Sequence, residues 1–363
     1  MSKNYKILID ENIPYLAEIL KSYGSIELFT GRNLTNQHLV KSGCQILFIR
    51  STTKVNRELL NNTKVKFVGT ATSGTDHIDI DYLKDSKIYF ANANGSNSNS
   101  VAELVIFSIL KWLKISPKNI SDLTIGIIGF GNIGKLVAKY STYLGLNILV
   151  NDPPLFEENF QFPANINYID LPTLIRNSDI ITNHVPLTKS TKYPTYQMFN
   201  KEIFNFMKEG ALFIHTSRGK VVNEKHFLDV LANKKIYSVF DVWEDEPLIN
   251  KELASKCILA TPHIGGYSKD GKLKGVNMMI DAFQSYTGES VDNIIIQSEL
   301  DSYKPLQAVK FKDIDLIYNL LKDNRKFDED HQALMQTLTL PDGKRAKTFD
   351  LLRKNYPPRR EVL

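Results

Sequence analysis

Two cysteines in 363 residues, Cys44 and Cys257, are too few and too far apart for a disulfide framework or a sulfur-rich metal site. Both thiols are expected to be buried and inert, and no metal is expected. Long hydrophobic runs are missing too. The longest apolar helix, Val101 to Leu113, falls short of the roughly 20 residues that span a bilayer and carries Glu103 and Lys111. A large excess of either charge is missing as well, with a net charge of only +5, which suits anionic small molecules and does not point to nucleic acid. The basic tail has no interleaved aromatic platforms for a single strand, and no internal repeat is visible. A strand starts almost at once, at Tyr5-Lys6-Ile7-Leu8-Ile9, which leaves no room for a signal peptide. The expectation is a cytoplasmic protein with neither membrane nor nucleic-acid partners.

What is present centres on Gly126-Ile127-Ile128-Gly129-Phe130-Gly131-Asn132-Ile133-Gly134. Apolar Ile125, Ile127 and Ile128 read as a buried strand, and Ile133, Leu136, Val137, Tyr140 and Leu144 recur at helical spacing. A helix that starts there directs its free N–H groups and positive dipole end at the turn. Gly129 allows the turn, Gly131 lets a pyrophosphate approach, and Gly134 lets helix and strand pack closely. A second strand, Ile148-Leu149-Val150, runs into Asn151-Asp152. An acid there suits a ribose diol and repels a 2′-phosphate, so NAD is favoured over NADP. The competing reading is an ordinary βαβ unit with a helix-packing glycine.

Strand–helix alternation on both sides of this turn implies α/β architecture: two Rossmann-like, doubly wound parallel-sheet domains separated by a cleft. Asn92 to Ser100 is rich in turn formers and marks the boundary, and Ser100 with Glu103 has the spacing of a capping box. The expected domains are residues 1–94 with 265–288 for substrate, 95–264 for NAD, and 289–363 as a small C-terminal α+β domain. That last part is too small for a large core of its own, so a second subunit is its natural support.

The strands end in polar residues. In the first domain these are Arg50-Ser51-Thr52-Thr53 and Thr70 to Asp76, which offer hydroxyls, N–H groups and an arginine to a carboxylate or phosphate. In the second they are Asn183-His184-Val185-Pro186, His215 to Gly219, Asp241 to Pro247 and Thr261-Pro262-His263. Hydride transfer needs an anion clamp, a proton acceptor and a partner for that acceptor. Arg218, His263 and Glu246 have the right chemistry for those three tasks, although each alone also reads as an ordinary surface cation, loop histidine or turn acid. His77 and His215 are expected to be structural, and His184 to shape the crevice. His38, His226 and His331 read as surface residues.

Together, Gly129 to Gly134, Thr216-Ser217-Arg218-Gly219, Asp241 to Pro247 and Pro262-His263-Ile264-Gly265-Gly266 resemble the signature set of the D-isomer-specific 2-hydroxyacid dehydrogenases. The resemblance implies Arg218 and Glu246 as catalytic residues and His263 as the proton donor and acceptor. It implies Asp152, Val185, Asp241 and Gly266 at the NAD, lined by Asn132, Ile133, Thr216 and Ser217. Ser51, Thr72 and Tyr267 are implied at the substrate, a small phosphorylated 2-hydroxy acid, with Arg50, Ser73 and Gly74 beside them. A homodimer formed by the C-terminal domain is implied as well. Two departures stand out. The hinge reads Asn94-Gly95-Ser96-Asn97 where relatives usually have a proline, and Val185 replaces a common Thr. Two alternatives share the scaffold: a sister enzyme such as 3-phosphoglycerate dehydrogenase, and an NAD-sensing corepressor.

Overall fold

The computed structural model describes residues 4–302, 304, 306, 307 and 311–363. The chain forms two compact units, Met1–Asn97 with Ser268–Lys304 and Ser98–Tyr267 with Pro305–Leu363. The first crossing falls inside the turn-rich boundary stretch.

The first unit is a five-stranded parallel sheet of β1 (Tyr5–Asp10), β2 (Gly24–Phe29), β3 (Ile46–Ile49), β4 (Phe67–Thr70) and β5 (Tyr89–Asn92), ordered β2-β1-β3-β4-β5. Successive residues alternate between its two faces. Ile7, Ile9, Phe48 and Phe67 pack on Leu273, Val276, Met279 and Phe283 of the helix Lys269–Thr287. Leu8, Leu47, Ile49 and Val68 face Leu39, Leu59, Leu60 and Leu83 on the other side. The strand order reverses between β1 and β3, so Asp10 and Arg50 sit at the carboxyl edge of a topological switch point.

The second unit holds β6 (Thr124–Ile128), β7 (Asn147–Asn151), β8 (Ile166–Tyr168), β9 (Ile180–Asn183), β10 (Leu212–His215), β11 (Tyr237–Phe240) and β12 (Leu259–Ala260). All pair in parallel, in the order β12-β11-β10-β9-β6-β7-β8. The switch point lies between β6 and β9, where the glycine turn and His184 emerge. The helix Ser98–Ile115 is buried almost all round, as a core helix must be. It begins before Ser100, so the expected capping box does not form: Ser100 and Glu103 lie inside the helix and make long-range bonds instead.

The C-terminal segment differs from expectation. Among the described residues after 289 it contains helices only, here Ile294–Asp301, Ile314–Arg325, Phe327–Thr337 and Asp342–Lys354. The 3.6-residue spacing of Ile314, Ile317 and Leu321 allows no alternating strand. From Pro305 onward the segment belongs to the second unit and covers its apolar face with its own chain. Phe107 stacks on Tyr318 at 5.5 Å, and Lys111 pairs with Asp328 at 2.6 Å. His38, His226 and His331 are half-buried rather than at the surface. The His331 Nδ1 accepts the Ala260 N–H at 3.0 Å, which satisfies the free edge of β12. Among the described residues no helix is long and apolar enough to cross a membrane.

Candidate active site

The turn after β6 has the backbone geometry that its glycines were expected to allow. Gly129 holds φ at 87°, a region that disfavours side chains. A Cβ on Gly134 would lie 2.1 Å from the Gly129 carbonyl oxygen, so only hydrogen fits. At Gly131 nothing lies within 4 Å of a Cβ position, which leaves an open face at the start of the helix Asn132–Leu144. Gly131 is the N-cap residue and offers no side-chain cap, and a helix N-terminus leaves its first-turn N–H groups without intrahelical acceptors. The cradle fits a pyrophosphate.

Asp152 stands beside the turn. One carboxylate oxygen accepts the Phe130 N–H at 2.7 Å, and the other caps the next helix through the Leu155 N–H at 3.1 Å. A carboxylate has about four acceptor positions, so capacity remains for a diol. Val185 packs close to Gly129, with Cγ1 3.1 Å from the Cβ position there.

The ends of β9 and β10 form a buried polar network. The Ser217 hydroxyl donates to Asn183 Oδ1, and Asn183 Nδ2 donates to His215 Nδ1 at 3.1 Å. His215 Nε2 therefore carries its proton toward the Gly219 carbonyl, 3.4 Å away. His184 contacts the Thr182 hydroxyl through Nε2 at 3.1 Å and the Thr216 hydroxyl through Nδ1 at 3.5 Å. Burial drives both imidazoles down to about 3, with each His184 and His215 proton further disfavoured by a neighbouring histidine. These histidines are neutral scaffold, as expected. The network fixes the loop that carries Thr216, Ser217 and Arg218, and the Arg218 Nη1 donates to the Ser217 carbonyl at 2.9 Å.

Gly219 ties this loop to the next one. A Cβ there would lie 1.7 Å from the Trp243 carbonyl oxygen, so the arginine loop and the Asp241–Pro247 loop are in backbone contact. From that second loop, Glu246 Oε2 meets His263 Nδ1 at 2.8 Å while its Oε1 accepts the Trp243 N–H at 3.0 Å. Burial raises the Glu246 pKa, but His263, Arg353 and the Trp243 N–H outweigh it, and the net shift is downward. His263 itself sits at φ 56°, strained for a non-glycine residue.

The strain is held by Asp241, which is buried. Its Oδ1 accepts from the Thr261 hydroxyl at 2.6 Å and the Ile264 N–H at 2.7 Å, and its Oδ2 accepts the Gly265 N–H at 2.9 Å. The loop leading to Gly266 is thus fixed on both sides of His263. Tyr267 ends the first segment of the unit, with its ring edge-on to Tyr356 at 5.7 Å. Arg325, Arg353 and Tyr356 surround this residue, a proximity that no local pattern announces.

In the first unit the expected substrate residues gather at the strand ends. The Thr70 hydroxyl bonds the Thr72 hydroxyl at 2.8 Å and His77 Nε2 at 3.1 Å. Asn92 Nδ2 donates to the Ser73 carbonyl and the Gly95 N–H donates to the Ser73 hydroxyl, both at 3.1 Å, which shapes the turn into Gly74. Ser51 is exposed and Arg50 half-buried. Burial, with Arg50 close by, lowers the Lys272 ammonium from its ordinary range, so two cations share this edge.

Residues 108–265 match the family model of the D-isomer specific 2-hydroxyacid dehydrogenase, NAD binding domain. With the near full-length relatives given below, that match sets the class: an NAD-dependent 2-hydroxyacid dehydrogenase. A D-lactate dehydrogenase from Aquifex aeolicus, solved with NAD and lactic acid, superposes with a TM-score of 0.63 at 27% identity, over 78% of this chain and 95% of that one. Over 98% of its length the chain is 39% identical to the erythronate-4-phosphate dehydrogenase of Wigglesworthia glossinidia brevipalpis, covering 92% of it. It is 38% identical to that of Bacteroides thetaiotaomicron, over 98% of this chain and 97% of the relative. The chain belongs to the erythronate-4-phosphate dehydrogenase family.

Proposed function

We propose that the chain oxidises 4-phospho-D-erythronate to (R)-3-hydroxy-2-oxo-4-phosphooxybutanoate, a step of pyridoxal 5′-phosphate biosynthesis, in the cytoplasm and as a homodimer. The observation that carries this reading is the His263–Glu246 pair, set on the cofactor edge of a Rossmann sheet in a chain similar to these enzymes nearly end to end.

Bound NAD supplies the hydride acceptor. NAD would be held by Gly129, Gly131, Asn132, Ile133 and Gly134 at its pyrophosphate, by Asp152 at its ribose, and by Val185, Thr216, Ser217, Asp241 and Gly266 along the sheet edge. With Val in place of Thr, a contact at 185 would be through the backbone.

Because His263 Nδ1 faces a carboxylate, that nitrogen carries the proton and Nε2 is left as the acceptor. Nε2 takes the C2 hydroxyl proton, and Glu246 stabilises the imidazolium that forms. Arg218 holds the substrate carboxylate in fork geometry and polarises the developing carbonyl, assisted by N–H groups around Ser73 and Gly74. Arg50 and Ser51 hold the phosphate, with Thr72 and Tyr267 as further substrate contacts. Arg359 or Arg360 from the tail of a second subunit is a further candidate for the phosphate; within this chain Arg359 pairs with Asp330 at 2.6 Å.

The test is NADH formation from 4-phosphoerythronate, 3-phosphoglycerate and unphosphorylated erythronate. 4-Phosphoerythronate should give the highest kcat/KM. Arg50→Ala should lose activity on it far more than on erythronate, and equal losses would remove the phosphate assignment.

A further inference from the structure

The loop that carries His263 is held by a buried carboxylate on its N–H side. Its carbonyl side is held by residues with no part in the activity described above. The Ser100 hydroxyl donates to the Gly265 carbonyl at 2.6 Å. Arg325, at the end of the helix Ile314–Arg325 and fully buried, donates through Nη2 to that same Ser100 oxygen at 2.8 Å and to the Tyr267 carbonyl at 3.0 Å. Its other terminal nitrogen, Nη1, pairs with Glu103, which is also fully buried. Glu103 Oε1 in turn accepts the N–H groups of Val362 and Leu363. The Arg325 carbonyl takes a bond from Arg359, whose guanidinium is fixed on Asp330.

The residues on either side of Gly266 are therefore clamped by opposite charges. Asp241 receives N–H groups, and Arg325, directly and through Ser100, supplies donors to the carbonyls. A guanidinium suits this task because its planar fork can serve three acceptors in fixed directions, which an ammonium on a flexible stem cannot. Burial of an ion pair is weak evidence for stability, since desolvation can offset the attraction. Geometry at the loop is the better account of why it is there. A second arginine of the same segment points the same way. Burial works against the charge of Arg353, yet Tyr267, Glu246 and Asp241 around it outweigh burial and favour its charged form.

We infer that Arg325 is a positioning residue for the dehydrogenase reaction: with Ser100 it fixes Gly265 to Tyr267 relative to His263, so that the C-terminal helices serve the active site of their own subunit. The inference rests on the activity proposed above.

Removing Arg325 alone would strand a buried carboxylate, so the test variant is Arg325→Met with Glu103→Gln, which keeps an acceptor for the Val362 and Leu363 N–H groups. Lys111→Met is the control. It cuts the contact of the same C-terminal segment with Asp328 and does not touch the loop. In the double variant kcat should fall on the order of 10- to 100-fold, the scale of a misplacement of about 1 Å. NAD affinity should stay within about threefold, and amide exchange at Gly266 to Ser268 should accelerate. Arg325→Lys should recover only part of kcat, and Lys111→Met should keep kcat and loop protection. Unchanged kcat and exchange in the double variant would overturn the inference, as would equal losses in the control. If the wild type forms no NADH from 4-phosphoerythronate, the proposed substrate fails instead, and the exchange measurement still decides whether Arg325 holds the loop.

Discussion

His263 Nδ1 lies 2.8 Å from Glu246 Oε2, and the second oxygen of that carboxylate is held by the Trp243 N–H at 3.0 Å. The imidazole is thereby fixed in one tautomer, with Nε2 left as acceptor. Replacing Glu246 by Gln keeps the shape and removes the charge that stabilises the imidazolium. The expected result is a fall in kcat of roughly 10²- to 10³-fold with unchanged NAD affinity, read by steady-state kinetics and by titration with NAD.

The same carboxylate has a signature in acid. Its pKa is held below the ordinary 4.5, because His263, Arg353 and the Trp243 N–H outweigh burial. A carboxylate shifted down stabilises the fold above its unfolded value and loses that contribution as pH falls through the folded value. Between pH 5 and 3, the urea midpoint of the wild type should therefore drop more steeply than that of Glu246→Gln.

His184 and His215 act at higher pH. Both fall from an ordinary 6.5 to about 3, chiefly by burial, so the native state keeps them neutral. The unfolded chain takes up protons there first, so stability is complete above about pH 6.5 and is lost progressively as pH falls toward 3. Equilibrium unfolding between pH 7 and 5 should show proton uptake, and His215→Gln should show less of it while being less stable overall.

The last two glycines of the turn should fail in different ways. Gly131→Ala places a methyl group in open space, so the melting temperature should hold while the Kd for NAD rises at least tenfold. Gly134→Ala drives a methyl group to 2.1 Å from the Gly129 carbonyl. It should cost about 3 kcal/mol of stability, visible in the denaturation midpoint before any assay of binding.

Asp152 binds the turn through the Phe130 N–H and caps a helix through the Leu155 N–H. Asp152→Ser keeps a capping oxygen and removes the charge, so stability should change by less than about 1 kcal/mol. The preference for NAD over NADP should shrink, measured as the ratio of kcat/KM values.

These contrasts also show which parts were legible in the sequence. Gly129 and Gly134 are demanded by local sterics, and a requirement for no side chain is written at the position that has it. Asp152, Arg218, Glu246 and His263 were legible because each follows a strand whose apolar body marks its end. Ser100 and Glu103 misled because a residue pair at i and i+3 looks the same whether it caps its own helix or bonds a distant chain segment. Arg325 was silent for a related reason. A basic residue in the last turn of a helix normally answers the helix dipole, and nothing nearby shows that its partners are Glu103, Ser100 and Tyr267. The amphipathic C-terminal helices announced that their apolar face must be covered, but not that their own subunit covers it.

The central claim is tested most directly by single-turnover NADH formation from 4-phosphoerythronate at saturating NAD, with wild type and His263→Ala side by side. The predicted result is a loss of about 10³-fold or more in the hydride-transfer rate, with the NAD Kd unchanged. A His263→Ala enzyme that transfers hydride within about tenfold of wild type would contradict the account.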